Sequence, residues 1–400
     1  MISFAQSMIA LDDLEINTLG RENLFLTQAR TRVLASDIIA DENSPIAATS
    51  AMDGYAIKAK DQDGGSIEIE LNDNPAGCDI QERVTDGKTI KTFTGSLMPE
   101  GADTLIPIEN VTVEGHKIII NEKVPEGFAV RPIGESYSKG EVLVSKGTTL
   151  EFAEIGVIAG LGQVMVPVYI EPKVAILATG NEVLDLGVCS DNPAQIRSSN
   201  NYTLEALADQ HGAKPIQLGV VSDAYDDIKK QMREALQSCD ILVTTGGVSV
   251  GDYDFVKDIV PELGAEVVFK GVTIKPGQHV MVAQKENKFI VALPGFAYSS
   301  TVTFMLYVIP LIARLKGQAY APNIVTATLT ETFVKRTKKS EFVACNVRLC
   351  NGLYEVDFKD KRSGTSAILT NMLGSVGLLH SSETDSSLEA GDTASVMLLS

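Results

Sequence analysis

The sequence contains few of the residues that bind transition metals in proteins. It has five cysteines and four well-separated histidines in 400 residues, and no two cysteines form a C-x-x-C pair. An odd number of scattered cysteines does not indicate a disulfide framework, and the missing pairs argue against a zinc site. Any metal that this chain binds is therefore expected to be a hard cation held by oxygen atoms.

Positive charge is also scarce. Lys plus Arg number 34 against 52 for Asp plus Glu, which gives a formal net charge of -18, and no Lys/Arg run occurs. Such a chain repels nucleic acid and anionic membranes, so we expect neither as a partner. A phosphate-bearing ligand would have to be held by backbone N–H groups, by a few placed cations, or by a metal that bridges to carboxylates.

The N-terminus, "MISFAQSMIALDDLEI", lacks the basic and apolar regions of a signal peptide, so we expect a protein of the reducing cytoplasm. One apolar run, residues 297–315, has the length of a membrane span. It contains Ser, Thr, Pro310 and Arg314, which favours a buried helix kinked by the proline.

The pattern of apolar and turn-forming residues changes along the chain, which predicts a multidomain protein with α/β and β domains. Apolar residues at helical spacing suggest that residues 1 to about 40 are helical, including "LFLTQARTRVLASDI". Short β-prone runs follow, then alternating strands and helices typical of a parallel sheet, then strands again. The expected domains are a helical and β N-terminal domain (1–43 with 132–170), a small β-rich insertion (44–131), a three-layer α/β/α domain (171–320) and a C-terminal β-barrel-like domain (321–400).

Glycine turns follow three strands of the predicted parallel sheet. The strand "KVAILA" is followed by T-G-N-E, "DILV" by T-T-G-G-V, and "FIVAL" by P-G. Ligands bind at the carboxyl ends of such strands, so we expect one crevice lined by backbone N–H groups and by Glu182. A single Gly-Gly pair would also be explained by a tight turn alone.

The stretch "TTGGVSVGDYDFVKD", residues 244–258, combines an anion-binding turn with acidic residues. Asp252 and Asp254 suit helix capping, but a second carboxylate at an anion site also suggests Mg²⁺ shared with phosphate oxygens. Lys275, in "TIKPGQHV", fits either a solvated loop or a cation beside this crevice. "SAMDGYA" and "TFTGSLMPEGADTLIPIE" are explained equally by turns and by function.

Eight motifs in collinear order resemble those of the molybdopterin molybdenumtransferases, the molybdenum insertases or MoeA-like proteins that include the E domain of gephyrin. The resemblance covers essentially the whole chain. The motifs are "SAMDGYA", "TGSLMPEGADTLIPIE", "VRPIGES", "LATGNEV", "QIRSSN", "TTGGVSVGDYDFVKD", "IKPG" and "LPG".

The resemblance implies a four-part homodimeric subunit, with a cleft between the α/β domain of one subunit and the small β-rich domain of the other. It implies that adenylylated molybdopterin, supplied by a molybdopterin adenylyltransferase, and molybdate are converted to molybdenum cofactor. AMP is released in this reaction by a Mg²⁺-dependent cleavage of the phosphoanhydride.

Matched position by position, the resemblance also implies the site residues. Glu182 and Asp254 would hold Mg²⁺ or orient the attacking oxygen, and Lys275 would bind phosphate with the backbone amides of the glycine turn. The expected catalytic residues are Asp53, Thr94, Glu182, Asp254 and Lys275, the first two from the partner subunit. The expected substrate-binding residues are Gly180, Asp223, Gly246, Gly247, Ser249, Pro294, Gly295 and Ser366, and the expected metal ligands are Glu182, Asp252 and Asp254.

The sequence departs from the family motifs at several of these loops. Where the family has G-E-D, this chain has Ser136 in place of the aspartate, and where the family has T-G-D-E it has Asn181 in place of the aspartate. Where the family has P-G-N-P, this chain has Phe296 and Ala297 in the last two positions. The family motif K-P-G-K-P has Gln278 and His279 in its last two positions here. A lysine that the family would have at Gly271 is displaced to Lys270. These replacements remove two carboxylates and one or two cations from the expected cleft. The loss of charge suggests altered oxyanion handling, such as tungstate preference, or a catalytically weakened paralogue that binds a pterin or a partner. Without the resemblance, a Mg²⁺-dependent nucleotide hydrolase fits the same crevice.

Overall fold

The computed structural model describes residues 1–71, 73–78, 82–248, 254–362 and 366–399. The chain divides into two compact units. The larger unit comprises residues 1–35, 147–151 and 165–400, and the smaller unit comprises residues 36–146 and 152–164. More than one core is expected, because single cores stop growing at roughly 250 to 300 residues.

The described residues form six α-helices, 26 strands and short 3₁₀ turns. The helices are α1 (Phe4–Asp12), α2 (Phe152–Gly160), α3 (Asn200–Gln210), α4 (Tyr225–Ser238), α5 (Val256–Glu262) and α6 (Ala297–Leu315). The strands before α2 are β1 (Arg21–Phe25), β2 (Ile38–Ile39), β3 (Thr49–Ser50), β4 (Gly54–Ile57), β5 (Ser66–Leu71), β6 (Lys88–Thr92), β7 (Thr104–Pro107), β8 (Val111–Glu114), β9 (Lys117–Ile120), β10 (Val130–Arg131) and β11 (Val142–Val144). The strands after α2 are β12 (Met165–Tyr169), β13 (Lys173–Thr179), β14 (Val183–Leu184), β15 (Ile196–Arg197), β16 (Lys214–Val221), β17 (Ile241–Thr245), β18 (Glu266–Lys270), β19 (Ile274–Lys275), β20 (Met281–Lys285), β21 (Lys288–Leu293), β22 (Ile324–Leu329), β23 (Ser340–Cys350), β24 (Leu353–Asp357), β25 (Val376–Ser381) and β26 (Thr393–Leu398).

The smaller unit is built around a six-stranded sheet with the order β7-β4-β6-β5-β9-β8. Its core contains Tyr55, Ile57, Ile67, Ile106 and Ile118, all nearly inaccessible to solvent. Alternating apolar residues in these short strands, such as "SIEIEL", place one face of the sheet on this core. The prediction of a β-rich segment is confirmed for this part of the chain.

A second six-stranded sheet, with the order β16-β13-β17-β21-β20-β18, lies at the centre of the larger unit. The strands β16, β13, β17 and β21 are mutually parallel, as the sequence predicts. The strands β20 and β18 are antiparallel to their neighbours and were not predicted. The chain passes from β13 to β16 on one side and then returns to β17 on the other, so the strand order reverses at β13.

The two faces of this sheet are covered by different helices, which makes the domain a three-layer α/β/α structure. Along β13, Val174 and Ile176 belong to the core cluster beneath α3 and α6, whereas Ala175 and Leu177 belong to the cluster beneath α4 and α5. Successive side chains of a strand point to opposite faces, so a strand buried on both faces is apolar throughout. The run "KVAILAT" meets this requirement.

The five strands β23, β24, β22, β26 and β25 close into a barrel, because β25 also pairs with β23. Closure leaves no unpaired edge among these strands, and their inward side chains form a separate core. The barrel-like C-terminal domain predicted from sequence is confirmed. The short strand β19 adds to β23 from outside, with Lys275 opposite Glu341.

The apolar run at residues 297–315 forms helix α6. It is the one helix in the described ranges that is long and apolar enough to cross a membrane, and 94% of its apolar window is buried inside the fold. This burial is that of a core helix, and it confirms the prediction of a buried helix.

The N-terminal region is less helical than predicted. Helix α1 ends at Asp12, and "LFLTQARTRVLASDI" forms the end of β1, a 3₁₀ turn at Leu26–Gln28 and the strand β2. Val33 bridges to Thr149 and Leu34 bridges to Val168. These partners lie more than a hundred residues away in sequence, so tertiary pairing overrides the local helical spacing.

Candidate active site

The candidate site lies where the strand order of the central sheet reverses. The strands β13 and β17 are parallel neighbours, so their carboxyl ends meet at one edge, and the chain leaves them in opposite directions. Open α/β sheets bind ligands at such a point. The glycine turns that follow Thr179 and Thr245 therefore lie side by side, as the sequence predicts.

Gly246 and Gly247 adopt left-handed backbone conformations, with φ of 94° and 66°. A Cβ atom on Gly246 would lie 2.8 Å from Thr179 Oγ1 and 2.9 Å from its carbonyl oxygen, and one on Gly247 would lie 2.9 Å from Val256. Only glycine fits this turn without displacing its neighbours. Ser249 and Asp252, two predicted site residues, lie outside the described residues.

A cavity of about 700 Å³ opens above these strand ends, and we call it the switch-point cavity. Eight predicted site residues line it: Gly180, Glu182, Asp223, Gly246, Gly247, Asp254, Pro294 and Gly295. Thr179 and Ser198 also line it, each is 5% exposed, and their hydroxyl oxygens have no hydrogen-bond partner. Buried hydroxyls are normally hydrogen-bonded, so these two are unsatisfied polar groups in the wall of the cavity.

The carboxylates of the cavity have different surroundings. Glu182 folds back over Gly180, where a Cβ atom would meet its Oε2 at 2.8 Å. The side chain of Asp223 accepts a hydrogen bond from Asn181 N–H at 3.1 Å, and Asn181 Oδ1 accepts one from Asp223 N–H at 3.2 Å. Asn181 replaces the family's aspartate, and here it links the turns after β13 and β16.

Asp254 precedes helix α5 and does not occupy its N-cap position, which is Phe255. The helix begins at Val256, whose N–H donates to Gly247 O at 3.0 Å. The residue in the first turn of α5 that complements the helix dipole is Asp258. Asp254 lies one residue before this N-cap position and lines the cavity, so its side chain is placed between the start of α5 and a ligand.

The cavity fits a hard cation only if the ligand supplies oxygen atoms. No group of three or more His, Cys, Asp or Glu side chains able to hold a metal occurs among the described residues, a set that excludes Asp252. Glu182 and Asp254 share the cavity with two unpartnered hydroxyls. One or two carboxylates completed by phosphate oxygens and water are the usual protein ligands of Mg²⁺.

The first turn of α6 also reaches the cavity, through Gly295, Phe296 and Ala297. Phe296 is the N-cap residue and makes no side-chain capping hydrogen bond. Asn200 Nδ2 donates to Gly295 O at 2.8 Å, which ties this turn to the start of α3. The amides of a helix N-terminus that have no partner in the protein favour an anion.

Two predicted site residues, Lys275 and Ser366, line a neighbouring cavity of about 280 Å³, which we call the barrel cavity. Sequence reasoning grouped Lys275 with the amides of Gly246 and Gly247, and the structure assigns them to adjacent cavities. Ser366 still connects with the first turn of α6, because its carbonyl accepts from Ser299 N–H at 3.1 Å.

Three further cations line the barrel cavity and were missed from sequence: Arg336, Lys361 and Arg362. They come from loops that flank the barrel strands, and each is unremarkable in its own segment. The hairpin of β23 and β24 and the pairing of β19 with β23 bring them to one cavity with Lys275. Four cations against two carboxylates, Glu331 and Glu341, give this cavity a positive balance in a chain of net charge -18, and such a balance favours an anion.

Gln278 and His279, two departures from the family motif, form a hydrogen-bonded chain with Lys339. The Lys339 ammonium contacts Gln278 Oε1, and Gln278 Nε2 lies 2.9 Å from His279 Nε2. An ammonium only donates, so the Gln278 amide must accept there and donate to His279. The imidazole of His279 lines the switch-point cavity.

Asp53 and Thr94 lie in the smaller unit and contact each other. The backbone N–H and the hydroxyl of Thr94 each donate to Asp53 Oδ1 at 2.7 Å. These bonds hold the pKa of Asp53 below its usual 3.8. Gly54 begins β4 and leaves no room for a side chain, since a Cβ atom would lie 2.3 Å from Ile106 O. The Asp-Gly pair is thus not a hairpin corner. Ser136, in the same unit, is exposed.

Comparisons with known proteins agree with this arrangement. A family model described as the MoeA N-terminal region (domain I and II) matches residues 3–162, and one described as a probable molybdopterin binding domain matches residues 175–314. A molybdopterin molybdenumtransferase from Nostoc sp. is 33% identical over 340 residues, which is 82% of this chain and 78% of the relative. One from Haemophilus influenzae is 34% identical over 74% of this chain and 73% of the relative.

A solved structure shows the same fold. The molybdopterin biosynthesis moeA protein of Pyrococcus horikoshii OT3 superposes with a TM-score of 0.84 over 100% of both chains, at 29% sequence identity. The similarity extends through both units and includes the central sheet and the C-terminal barrel. This chain belongs to the molybdopterin molybdenumtransferase family.

Proposed function

We propose that this protein is a molybdenum insertase that converts adenylylated molybdopterin and molybdate to molybdenum cofactor and releases AMP. The observation that carries the proposal is the switch-point cavity, where two glycine turns, two unpartnered hydroxyls and two carboxylates converge. This set suits a phosphoanhydride, whose oxygens accept from the amides and hydroxyls. Family membership supports the same chemistry.

The proposed roles follow from the contacts of each residue. The Gly246 N–H already donates to Leu293 O at 3.1 Å, so the Gly247 amide, together with the hydroxyls of Thr179 and Ser198, is proposed to bind the phosphate oxygens. Asp254 and Glu182 would hold Mg²⁺, with Asp252 as a further ligand. Bound there, the cation would neutralise charge on the phosphoanhydride as it is cleaved.

The remaining predicted residues hold the substrate in place. Pro294 and Gly295 form the wall that abuts Gly246, since a Cβ atom on Gly295 would lie 3.8 Å from Gly246 Cα. Asp223, bonded to Asn181, keeps the turn after β13 closed against the turn after β16. Gly180 and Ser249 are retained from the sequence as proposed contacts of the same ligand.

Molybdate is proposed to bind in the barrel cavity. Lys275, Arg336, Lys361 and Arg362 supply the positive charge that a dianion requires, and Ser366 supplies a hydroxyl. The carbonyl of Ser366 contacts the first turn of α6, whose start lines the switch-point cavity. The oxyanion and the phosphoanhydride would therefore be held in adjacent cavities.

One assay tests the activity. Purified protein is incubated with adenylylated molybdopterin, Mg²⁺ and molybdate or tungstate, and released AMP is measured together with metal retained on the pterin. We expect AMP and metal-loaded pterin in equal amounts with molybdate. AMP release that does not respond to either oxyanion would indicate a nucleotide hydrolase instead, and no AMP with either oxyanion would refute the transferase. No observation on the described residues favours a weakened, non-catalytic paralogue.

A homodimer is proposed as the working form. Helix α2, "FAEIGVIAG", is apolar along its length, yet Ile158 is its only buried residue. Phe152 is 88% exposed. An apolar helix left in water is typical of a surface that a second chain covers. In that dimer Asp53 and Thr94 would complete the site of the partner.

The wider setting is also a proposal. An upstream molybdopterin adenylyltransferase would supply the adenylylated substrate, and the reaction would take place in the cytoplasm, where thiols such as Cys78 and Cys189 stay reduced. The four-part division at residues 44, 132, 171 and 321 is retained as a proposal for the functional domains.

A further inference from the structure

We propose that Phe296 is a stacking platform for one of the two heteroaromatic rings of the substrate, adenine or pterin. This inference rests on the proposed function, because adenylylated molybdopterin carries one such ring at each end. The Phe296 side chain is 63% exposed and lines the switch-point cavity. An aromatic ring in this position offers an open face to a planar ligand.

The backbone beneath this ring is held in place on both sides. Gly295, the preceding residue, abuts Gly246 and accepts a hydrogen bond from Asn200 Nδ2 at 2.8 Å. Phe296 O accepts from Ser300 N–H at 2.9 Å in the first turn of α6. The backbone of Phe296 is therefore fixed, and its neighbour Gly295 abuts the Gly246 turn that would hold the phosphates. A nucleotide held by its phosphate at the Gly246–Gly247 turn would place its base in the same cavity as this ring.

Phe296 is an unfavourable residue for the structure alone. Helix N-cap positions prefer Ser, Thr, Asp or Asn, whose side-chain oxygen accepts from a free amide, and phenylalanine supplies none. A largely exposed aromatic ring also gains little from burial. Positions where a sequence breaks local rules without structural benefit are expected at functional sites. The family motif has asparagine here, so the platform is a property of this chain.

The cavity provides further apolar surface for a ring. Val183, Ile196 and Val248 line it together with Phe296, and Ile196 is 55% exposed. Stacking tolerates different ring systems, because every base has a π-face. Loss of one stacked base costs about 1 to 3 kcal/mol, so we expect F296A to weaken AMP or pterin binding about 5- to 150-fold. Turnover at saturating substrate should change much less than KM.

The absence of tryptophan from this chain makes the test direct. F296W introduces a single tryptophan at the proposed platform. The variant is titrated with AMP, with neopterin and with ribose 5-phosphate, which has the phosphate but no base. We expect saturable quenching of the emission by whichever of AMP and neopterin stacks there. Ribose 5-phosphate should compete with AMP without quenching. F128W, a tryptophan in the smaller unit, is the control and should respond to none of them.

Two outcomes would overturn the proposal. If AMP and neopterin bind wild type and F296A with equal Kd in equilibrium dialysis, and F296W emission stays constant, Phe296 does not stack on either ring. If the tryptophan emission of F296W changes with protein concentration but not with added ligand, a second chain covers the side chain at position 296. In both cases wild-type AMP release would persist, so the proposed transferase activity would stand. Loss of that activity in wild type would refute both.

Discussion

At the residue scale, the two carboxylates of the switch-point cavity are expected to separate catalysis from stability. E182Q and D254N each remove a charge from the cavity while keeping the shape of the side chain. We expect AMP release to fall by about 100-fold or more, the range of a lost acid, base or ligand group. The melting temperature of D254N should change little, because asparagine serves at a helix N-terminus nearly as well as aspartate.

The matched control is E234Q, which removes an exposed carboxylate on α4 that does not line the cavity. It should leave both AMP release and the melting temperature at wild-type values. Equal losses of activity and stability in D254N would indicate that Asp254 acts in the structure and not in the reaction.

The pair of Asp53 and Thr94 has a defined pH dependence. The pKa of Asp53 lies below its usual 3.8, first because the Thr94 N–H donates to it and second because the hydroxyl does. A carboxyl with a lowered folded-state pKa stabilises the fold above the unfolded-state pKa, and this contribution is lost as the pH falls through the folded-state value. T94V keeps the amide bond and removes the hydroxyl bond.

In T94V we therefore expect the pKa of Asp53 to move up toward 3.8 without reaching it. An NMR titration of the Asp53 carboxyl carbon in the two proteins measures the shift. Urea unfolding should show a stability difference at neutral pH that vanishes well below pH 3.8. A pKa that is identical in both proteins would show that the hydroxyl bond is absent in solution.

At the element scale, the glycine turn after β17 has a strict steric requirement. G246A places a methyl group 2.8 Å from Thr179 Oγ1 at a φ of 94°. We expect destabilisation of about 1 to 3 kcal/mol, the range for a strained backbone, together with loss of AMP release. Chemical denaturation and the AMP assay check the two effects.

G64A is the control for this substitution. Gly64 has open space around its Cβ position and an ordinary φ, so alanine there should be neutral or stabilise the fold by about 0.4 to 1 kcal/mol. If G246A were as stable as wild type and fully active, the close approach of the turn to Thr179 would not exist in solution.

The sequence predicts the elements that are determined by the spacing of apolar residues within a single segment. The run "KVAILAT" is a buried strand because its residues alternate between two cores, and Ile228 and Met232 lie on one face of α4 at helical spacing. The glycine turns follow directly from these strands. Their convergence could be predicted, because parallel strands share a carboxyl edge.

Features that depend on long-range pairing could not be predicted in this way. Val33 and Leu34 have helical spacing but pair with strands late in the chain. Lys275 reaches the cavity of Arg336 and Lys361 because β19 pairs with β23, which begins 65 residues later in the chain. The contact of Lys339 with Gln278 joins the barrel to the loop after β19, and no spacing in the sequence signals it.

At the scale of the whole molecule, the exposed face of α2 predicts association. F152E places a charge on the most exposed apolar residue of the helix. We expect the variant to sediment as a monomer with an unchanged circular dichroism spectrum, because Phe152 contributes nothing to the core of its own chain. K146E, an exposed change near the same helix, should leave the sedimentation coefficient as in wild type. A monomeric wild type would contradict the proposed dimer.

The most demanding test of that dimer uses two inactive variants together. D53N and D254N are each expected to abolish AMP release. If each site combines Asp254 of one chain with Asp53 of its partner, a mixed dimer has one site with both substitutions and one intact site. Random exchange of equal amounts makes half of the dimers mixed, so about a quarter of the wild-type sites are restored. If both residues served a site within one chain, no mixed dimer would contain an intact site and activity would stay absent. Mixing each variant with F152E, which is expected not to associate, should restore nothing and supplies the baseline.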